Sequence, residues 1–89
     1  MSQLVPVGYL KIRSIGVIEV GNTLHISSDN TITEIHQFND DESKFKPEQR
    51  WKVYECYRYS GDDNYFYLKC KNDKKEEINL KFHREQIIR

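Results

Sequence analysis

The sequence predicts an all-β domain, with at most one short helix or helical turn, built as a small antiparallel barrel of five to six strands. Residues 51–71 give the clearest hairpin pattern, because two strand-like runs flank the turn cluster of residues 60–64. Residues 78–82 alternate between apolar and polar side chains, which is the period of a strand with one buried face. The chain has 89 residues, which predicts one domain over residues 1–89.

The first part of the chain predicts three shorter extended segments. Residues 4–12 read as extended, with a proline and a glycine that keep them irregular or at a sheet edge. Residues 15–20 and 23–27 read as strands joined by Gly21-Asn22, and glycine in the first central position is typical of a type II′ hairpin turn. Residues 28–30 form another cluster of turn-forming residues.

Residues 31–38 fit two structures. Their β-branched content favours a strand. Thr31 and Glu34, however, also fit a capping box, and apolar residues recur near helical spacing. We favour the strand and keep the short helix as the alternative. Residues 39–50 predict a long polar loop that Phe45 attaches to the core.

The end of the chain predicts a closing element. Residues 84–86 could make one helical turn after the alternating strand. Ile87 and Ile88 would then close the sheet.

The hairpin holds seven of the eleven aromatic residues, and its register can be predicted. One face pairs Tyr59 with Tyr65, Tyr57 with Tyr67 and Glu55 with Lys69. The other face sets Arg58, Cys56 and Tyr54 opposite Phe66, Leu68 and Cys70. This register collects the apolar residues on one side. A bulge near Val53 or Tyr54 would bring Trp51 into the core.

A partner-binding site follows from this register as a hypothesis. The predicted site consists of Tyr57, Tyr59, Tyr65, Tyr67 and Lys69. Tyrosine combines a large rigid ring with a polar tip and is enriched in interface hot spots. The alternative is that the cross-strand aromatic pairs only stabilise the hairpin.

Composition disfavours several functional classes. Basic and acidic side chains number 14 each, so the formal net charge is zero, whereas a general DNA-binding protein usually has a basic excess. No catalytic, metal or cofactor motif is recognisable, because the three histidines lack partners at diagnostic spacing. Cys56 and Cys70 fit no zinc pattern and are predicted to be reduced thiols. We therefore expect a protein that is not an enzyme and binds no cofactor or metal.

No signal peptide or membrane-spanning run is recognisable, so we expect a cytoplasmic protein without a membrane partner. A protein partner is the first hypothesis. The alternative is a small barrel that binds single-stranded nucleic acid through stacking aromatics beside basic residues such as Arg58 and Lys71. Acidic residues lie between those basic residues, which weakens phosphate binding. An aromatic cage for methylated lysine is a lesser alternative.

The order of elements resembles that of SH3-like barrels. Trp51-Lys-Val, the turn at Gly61-Asp62 and residues 82–88 carry the resemblance. Small accessory proteins of bacteriophages look similar. The resemblance implies a protein–protein interaction module that could occlude the surface of a host protein, and it leaves the partner and the oligomeric state open.

Overall fold

The computed structural model describes residues 3–37 and 49–88 of the chain. These residues form eight strands and one short 3-10 helix. The strands are β1 (Leu4–Pro6), β2 (Tyr9–Ile12), β3 (Gly16–Glu19), β4 (Thr23–Ile26), β5 (Ile32–His36), β6 (Arg50–Tyr59), β7 (Tyr65–Asn72) and β8 (Glu77–His83), and the 3-10 helix is Arg84–Gln86. Every pairing between these strands is antiparallel, so the all-β prediction is confirmed in the part of the chain described.

The larger sheet is organised around the ten-residue strand β6. Its strand order is β5-β4-β6-β7-β8, and β1 also pairs with β6. The first residues of β6 pair with β4, as in Leu24–Trp51, and the last residues pair with β1, as in Leu4–Tyr59. Because β4 and β1 divide one edge of β6 between them, β7 has the whole opposite edge.

The β2–β3 hairpin forms a second, two-stranded sheet that covers the inner face of the larger one. Alternation along β2 and β3 buries Leu10, Ile12 and Ile18. The inner face of the larger sheet contributes apolar side chains to the same cluster. These include Leu24, Ile26, Val53, Cys56, Leu68, Cys70 and Phe82. The core therefore lies between two layers of strands.

The pairing of the described strands leaves the larger sheet open between β5 and β8. The predicted closed SH3-like barrel is therefore not confirmed. After β8 the chain turns away through the 3-10 helix, and Ile87 bridges to Ile12 of β2 instead of continuing along β8. The predicted helical turn is confirmed. The prediction that Ile87 and Ile88 close the sheet is not, because Ile87 bridges to the smaller sheet and the larger sheet stays open.

The prediction of a hairpin joined by Gly21-Asn22 is wrong. Gly21 does have a positive φ of 97°, as the turn signal requires. However, β3 pairs with β2, whereas β4 pairs with β5 and β6. The Gly21 N–H donates to the Val53 carbonyl, and the Val53 N–H donates to the Asn22 carbonyl. The turn therefore bonds to β6 and joins the two sheets.

The remaining predictions for the first half of the chain have different outcomes. Residues 4–12 contain two short strands, and β5 confirms the strand prediction for residues 32–36. Arg50 belongs to β6 and not to the preceding loop. Phe38, the remaining residues of the predicted loop up to 48 and its anchor Phe45 lie outside the described residues.

The predicted β6–β7 register is confirmed over its central part. Glu55 pairs with Lys69, Cys56 with Leu68, and Tyr57 with Tyr67. The register shifts between Val53 and Glu55, so Val53 and not Tyr54 pairs with Cys70. This shift is the predicted bulge, and it buries Val53, while Trp51 packs partly buried against the core.

Candidate functional site

The outer face of β6, β7 and β8 carries the residues that the sequence predicted as a site. Along β7, Leu68 and Cys70 point into the core and are fully buried, so Tyr67 and Lys69 point outward. The cross-strand pairs extend this surface over the neighbouring strands. We call it the tyrosine–lysine face, and it comprises Lys52, Tyr54, Glu55, Tyr57 and Tyr59 of β6, Tyr65, Tyr67, Lys69 and Lys71 of β7, and Glu77, Asn79, Lys81 and His83 of β8.

Three tyrosines of this face pack on one another. The Tyr57 and Tyr67 rings are stacked, with centroids 5.2 Å apart and planes 16° apart. The edge of Tyr59 meets both rings, at 5.6 Å from Tyr57 and 5.4 Å from Tyr67. Such mixed stacked and edge-to-face contacts are the geometries that aromatic rings prefer. The three rings therefore form one rigid cluster.

Tyr57 lies inside this cluster and is 2% exposed. The prediction that Tyr57 belongs to an exposed patch is therefore wrong. The neighbouring rings enclose it, and Pro6 of β1 is its cross-strand neighbour on the other side. Tyr59, Tyr65 and Tyr67 are half-buried and Tyr54 is exposed, so these four tyrosines provide the accessible aromatic surface.

Lysine ammonium groups lie over three of the tyrosine rings. Lys81 Nζ is 4.0 Å from the centroid of Tyr65, and Lys71 Nζ is 4.7 Å from that of Tyr54. Lys69 Nζ is 5.2 Å from the Tyr57 centroid. These distances fall within the range of cation–π attraction. Strands β6 and β7 contribute the tyrosine rings and strands β7 and β8 the lysines, so aromatic and charged groups alternate across the face.

Two carboxylates moderate the positive charge of the face. Glu55 Oε2 lies 3.7 Å from Lys69 Nζ, and Glu77 Oε1 lies 3.3 Å from Lys71 Nζ. Both pairs are partly exposed, so their contribution to stability is small. They orient the lysine side chains along the sheet. Lys52 and Lys81 add further charge, so cations exceed carboxylates on this face.

The first residues of β7 extend the aromatic surface toward β8. Tyr65 pairs with His83, and the two rings meet edge to face with centroids 5.3 Å apart. The imidazole is held by the 3-10 helix, because the Glu85 N–H donates to His83 Nδ1. The Gln86 side chain in turn accepts from the His83 N–H. His83 is therefore fixed beside Tyr65.

Burial controls the chemistry of the titratable groups near the face. Burial, with smaller contributions from Tyr59 and Glu55, raises the pKa of Tyr57 to about 12. Burial also raises the pKa of the Cys56 thiol to about 11 and that of Cys70 to about 12. Both cysteines are free and buried on the inner face. At neutral pH they are thiols and not nucleophilic thiolates.

The sequence identified only part of this surface. It predicted Tyr57, Tyr59, Tyr65, Tyr67 and Lys69, which the structure places on one face. It named Lys71 only for the nucleic-acid alternative, placed Tyr54 on the opposite face, and missed Lys81 and His83. The signal was available, because the period-two alternation of β8 sets its polar residues on one face, and antiparallel pairing then places them beside β7. Prediction of the β8 residues would have required pairing β8 with β7, in addition to pairing β7 with β6.

Within residues 3–37 and 49–88, no cluster of three or more His, Cys, Asp or Glu side chains is arranged to hold a metal ion. Over the same residues, no helix has the length and apolar character needed to cross a bilayer. Comparison of the chain with protein-family models, with curated proteins and with solved structures finds no match.

Proposed function

We propose that the protein is a non-enzymatic protein–protein interaction module and that the tyrosine–lysine face binds its partner. The observation that carries the proposal is the set of three lysine ammonium groups placed over tyrosine rings on one sheet face. Rings held by packing lose little side-chain entropy on binding, and tyrosine is a frequent hot-spot residue. The face is thus preorganised for contact with another surface.

The accessible groups indicate the chemistry of the partner surface. Tyr59, Tyr65 and Tyr67 offer ring edges and hydroxyl groups around the buried Tyr57. Lys81 lies at the β8 side of this area. A protein surface with an apolar side chain bordered by carboxylates would complement it, because the apolar group would cover the rings and the carboxylates would meet the ammonium groups.

Single-stranded nucleic acid is the second candidate ligand, and the alternation of lysine and tyrosine favours it. Two features favour a protein. The Tyr57 and Tyr67 rings stack on each other, so their facing surfaces are not open to bases. Glu55 and Glu77 also lie beside the lysines, where they would repel phosphates.

The finer parts of the interpretation are proposals of the same kind. The short 3-10 helix after β8 and the return of Ile87 to β2 support an SH3-like arrangement. An accessory protein of a bacteriophage that acts in the cytoplasm by covering a host protein is consistent with a small preorganised binding face. Identification of the bound protein would test this origin directly.

The test begins with capture of a partner from a lysate on the immobilised protein, followed by calorimetric titration with that partner. Tyr65→Ser and Lys69→Ala alter the face without touching the core. Tyr9→Ser and Lys11→Ala are matched controls, because both residues are exposed on β2, outside the face. We expect the face variants to weaken binding by about 30-fold or more, as hot-spot residues do.

Two results would contradict the proposal. One is equal loss of affinity in the β2 controls, which would place the binding surface elsewhere. The other is tight binding of a single-stranded oligonucleotide at physiological salt, with an affinity that falls steeply as salt rises. That salt dependence would make the nucleic-acid function the better conclusion.

A further inference from the structure

Strand β8 is an edge strand with backbone groups directed away from the sheet. Among the described strands it pairs only with β7. The Asn72 N–H donates to the Glu76 carbonyl, and the Arg84 N–H donates to the Asn64 carbonyl, so even-numbered residues of β8 bond to β7. Asn79 and Lys81 therefore direct their backbone N–H and C=O groups to the open edge.

The apolar side chains of β8 are incompletely covered. Ile78 and Leu80 point toward the core but remain half-buried. Beside them lies a cavity of about 560 Å³ between β8 and the turns that precede β3 and β5. Ile15 and Ile32 line its opposite wall. An open edge beside a cavity that is partly lined by apolar side chains can accept another strand.

We propose that this strand is β8 of a second copy of the chain, paired antiparallel about a twofold axis at Leu80. This register pairs Leu80 with its own copy and Ile78 with Phe82 on the inner side. On the outer side it pairs Asn79 with Lys81 and Glu77 with His83. Asn79 and Lys81 would exchange backbone hydrogen bonds, because both direct these groups to the open edge.

The charges on the outer side and the apolar pairs on the inner side together support this occupant and this register. Each Lys81 faces a neutral Asn79, and each Glu77 carboxylate faces an imidazole, so no like charges are directly opposite. Moving the axis to Lys81 would set two lysines opposite each other. Moving it to Asn79 would pair Glu77 with Lys81 but would set the apolar Phe82 opposite Glu76 on the inner side. Self-pairing of β5, the strand at the other end of the larger sheet, at full overlap would set Glu34 against Glu34. Of these two end strands, β8 is the one whose side chains are self-complementary. Because the His83 N–H is already donated to the Gln86 side chain, the backbone pairing rests on Asn79 and Lys81.

The inner side of the pair would also cover apolar side chains. Leu80 and Phe82 of the second copy would lie against the half-buried Ile78 and Leu80 of the first. The contact would be isologous and therefore closed at two copies. One strand pair is smaller than the roughly 1,200–2,000 Å² of a standard interface, so we expect a reversible, concentration-dependent dimer.

Sedimentation velocity of the full chain from micromolar to millimolar concentration tests the proposal. Asn79→Glu would place a carboxylate opposite Lys81 in both symmetry-related pairs, and Asn79→Lys would place a lysine there. Asn79 is exposed on the outer face, so neither change enters the core. We expect Asn79→Glu to tighten the dimer and Asn79→Lys to weaken it, each by about 2- to 30-fold.

The double variant Asn79→Lys with Lys81→Glu would restore opposite charges and should recover the dimer. Circular dichroism and thermal melting of each variant establish that the monomer fold is retained. Asn79→Glu remains informative if Asn79→Lys is unstable, because it sets a carboxylate and not a cation beside Lys69 within the same protomer. A monomer at every concentration, or equal responses to the two single variants, would overturn the proposal.

Discussion

Replacement of Tyr57 by alanine should destabilise the domain strongly, because this outer-face tyrosine is part of the packed structure. Its side chain is 2% exposed and contacts two other tyrosine rings. Truncating a buried large aromatic side chain typically costs about 3–5 kcal/mol. A chain of 89 residues is expected to have about 4–13 kcal/mol of total stability. The change would therefore remove a large fraction of it.

Tyr57→Phe separates the contribution of the ring from that of the hydroxyl group. It keeps the stacking on Tyr67 and removes only the hydroxyl group and its hydrogen bond with Tyr59. We expect a loss of about 0.5–1.5 kcal/mol, as for one hydrogen bond. Tyr9→Ala is the control, because Tyr9 is 59% exposed on β2, and it should change the free energy of unfolding by no more than about 0.5 kcal/mol.

Urea denaturation followed by circular dichroism measures all three variants against the wild type. The midpoint should fall most for Tyr57→Ala, less for Tyr57→Phe and hardly at all for Tyr9→Ala. Equal midpoints for Tyr57→Ala and Tyr9→Ala would refute the conclusion that the three-ring cluster holds the outer face together.

Three further predictions concern pH, thiol reactivity and one turn. Between pH 10 and 12 the unfolded chain loses the Tyr57 proton while the folded protein retains it, so stability should fall as pH rises through this window; a flat melting temperature there would contradict the raised pKa. Cys56 and Cys70 should react with a thiol reagent at pH 8 only when the protein unfolds, and intact-mass measurement without reductant should show no bond between them. Asn72→Ala should cost about 1–3 kcal/mol in chemical denaturation, because its Oδ1 accepts from the Lys74 and Glu76 N–H groups at 3.0 Å; a smaller loss would mean that water replaces these bonds.

The local patterns of the sequence predict the second half of the fold well. Alternation in β8, the turn of residues 60–64 and the bulge beside Val53 all follow from side-chain period and turn chemistry. In the first half, the positive φ of Gly21 is a local property that the sequence predicts. Which strands the Gly21 turn connects depends on its long-range hydrogen bonds to Val53. A local pattern in the sequence carries no information on these bonds.

The candidate site shows the same division. The period-two pattern places Tyr57 on the outer face, and the structure agrees with that placement. Burial of Tyr57 depends on how the ring of Tyr59 on the same strand, the ring of Tyr67 on β7 and the strand β1 pack around it, and the period-two pattern does not contain this packing. The outward direction of the Tyr57 side chain therefore did not imply that it is exposed. Accessible groups of the face lie beside it instead, at Tyr65 and its neighbours on β8.

The position of β6 between three other strands has a consequence for how the chain folds. The Gln3 N–H donates to Ser60 Oγ, 57 residues along the chain, so β1 cannot find its place during synthesis until β6 has emerged. Contacts of such long sequence separation slow folding. In native-state hydrogen exchange, the central amides of β6 should be among the last to exchange, since their release requires separation of strands on both edges. The short β1 strand should exchange early, and its fraying would uncover the backbone beside Tyr57 before the rest of the sheet opens.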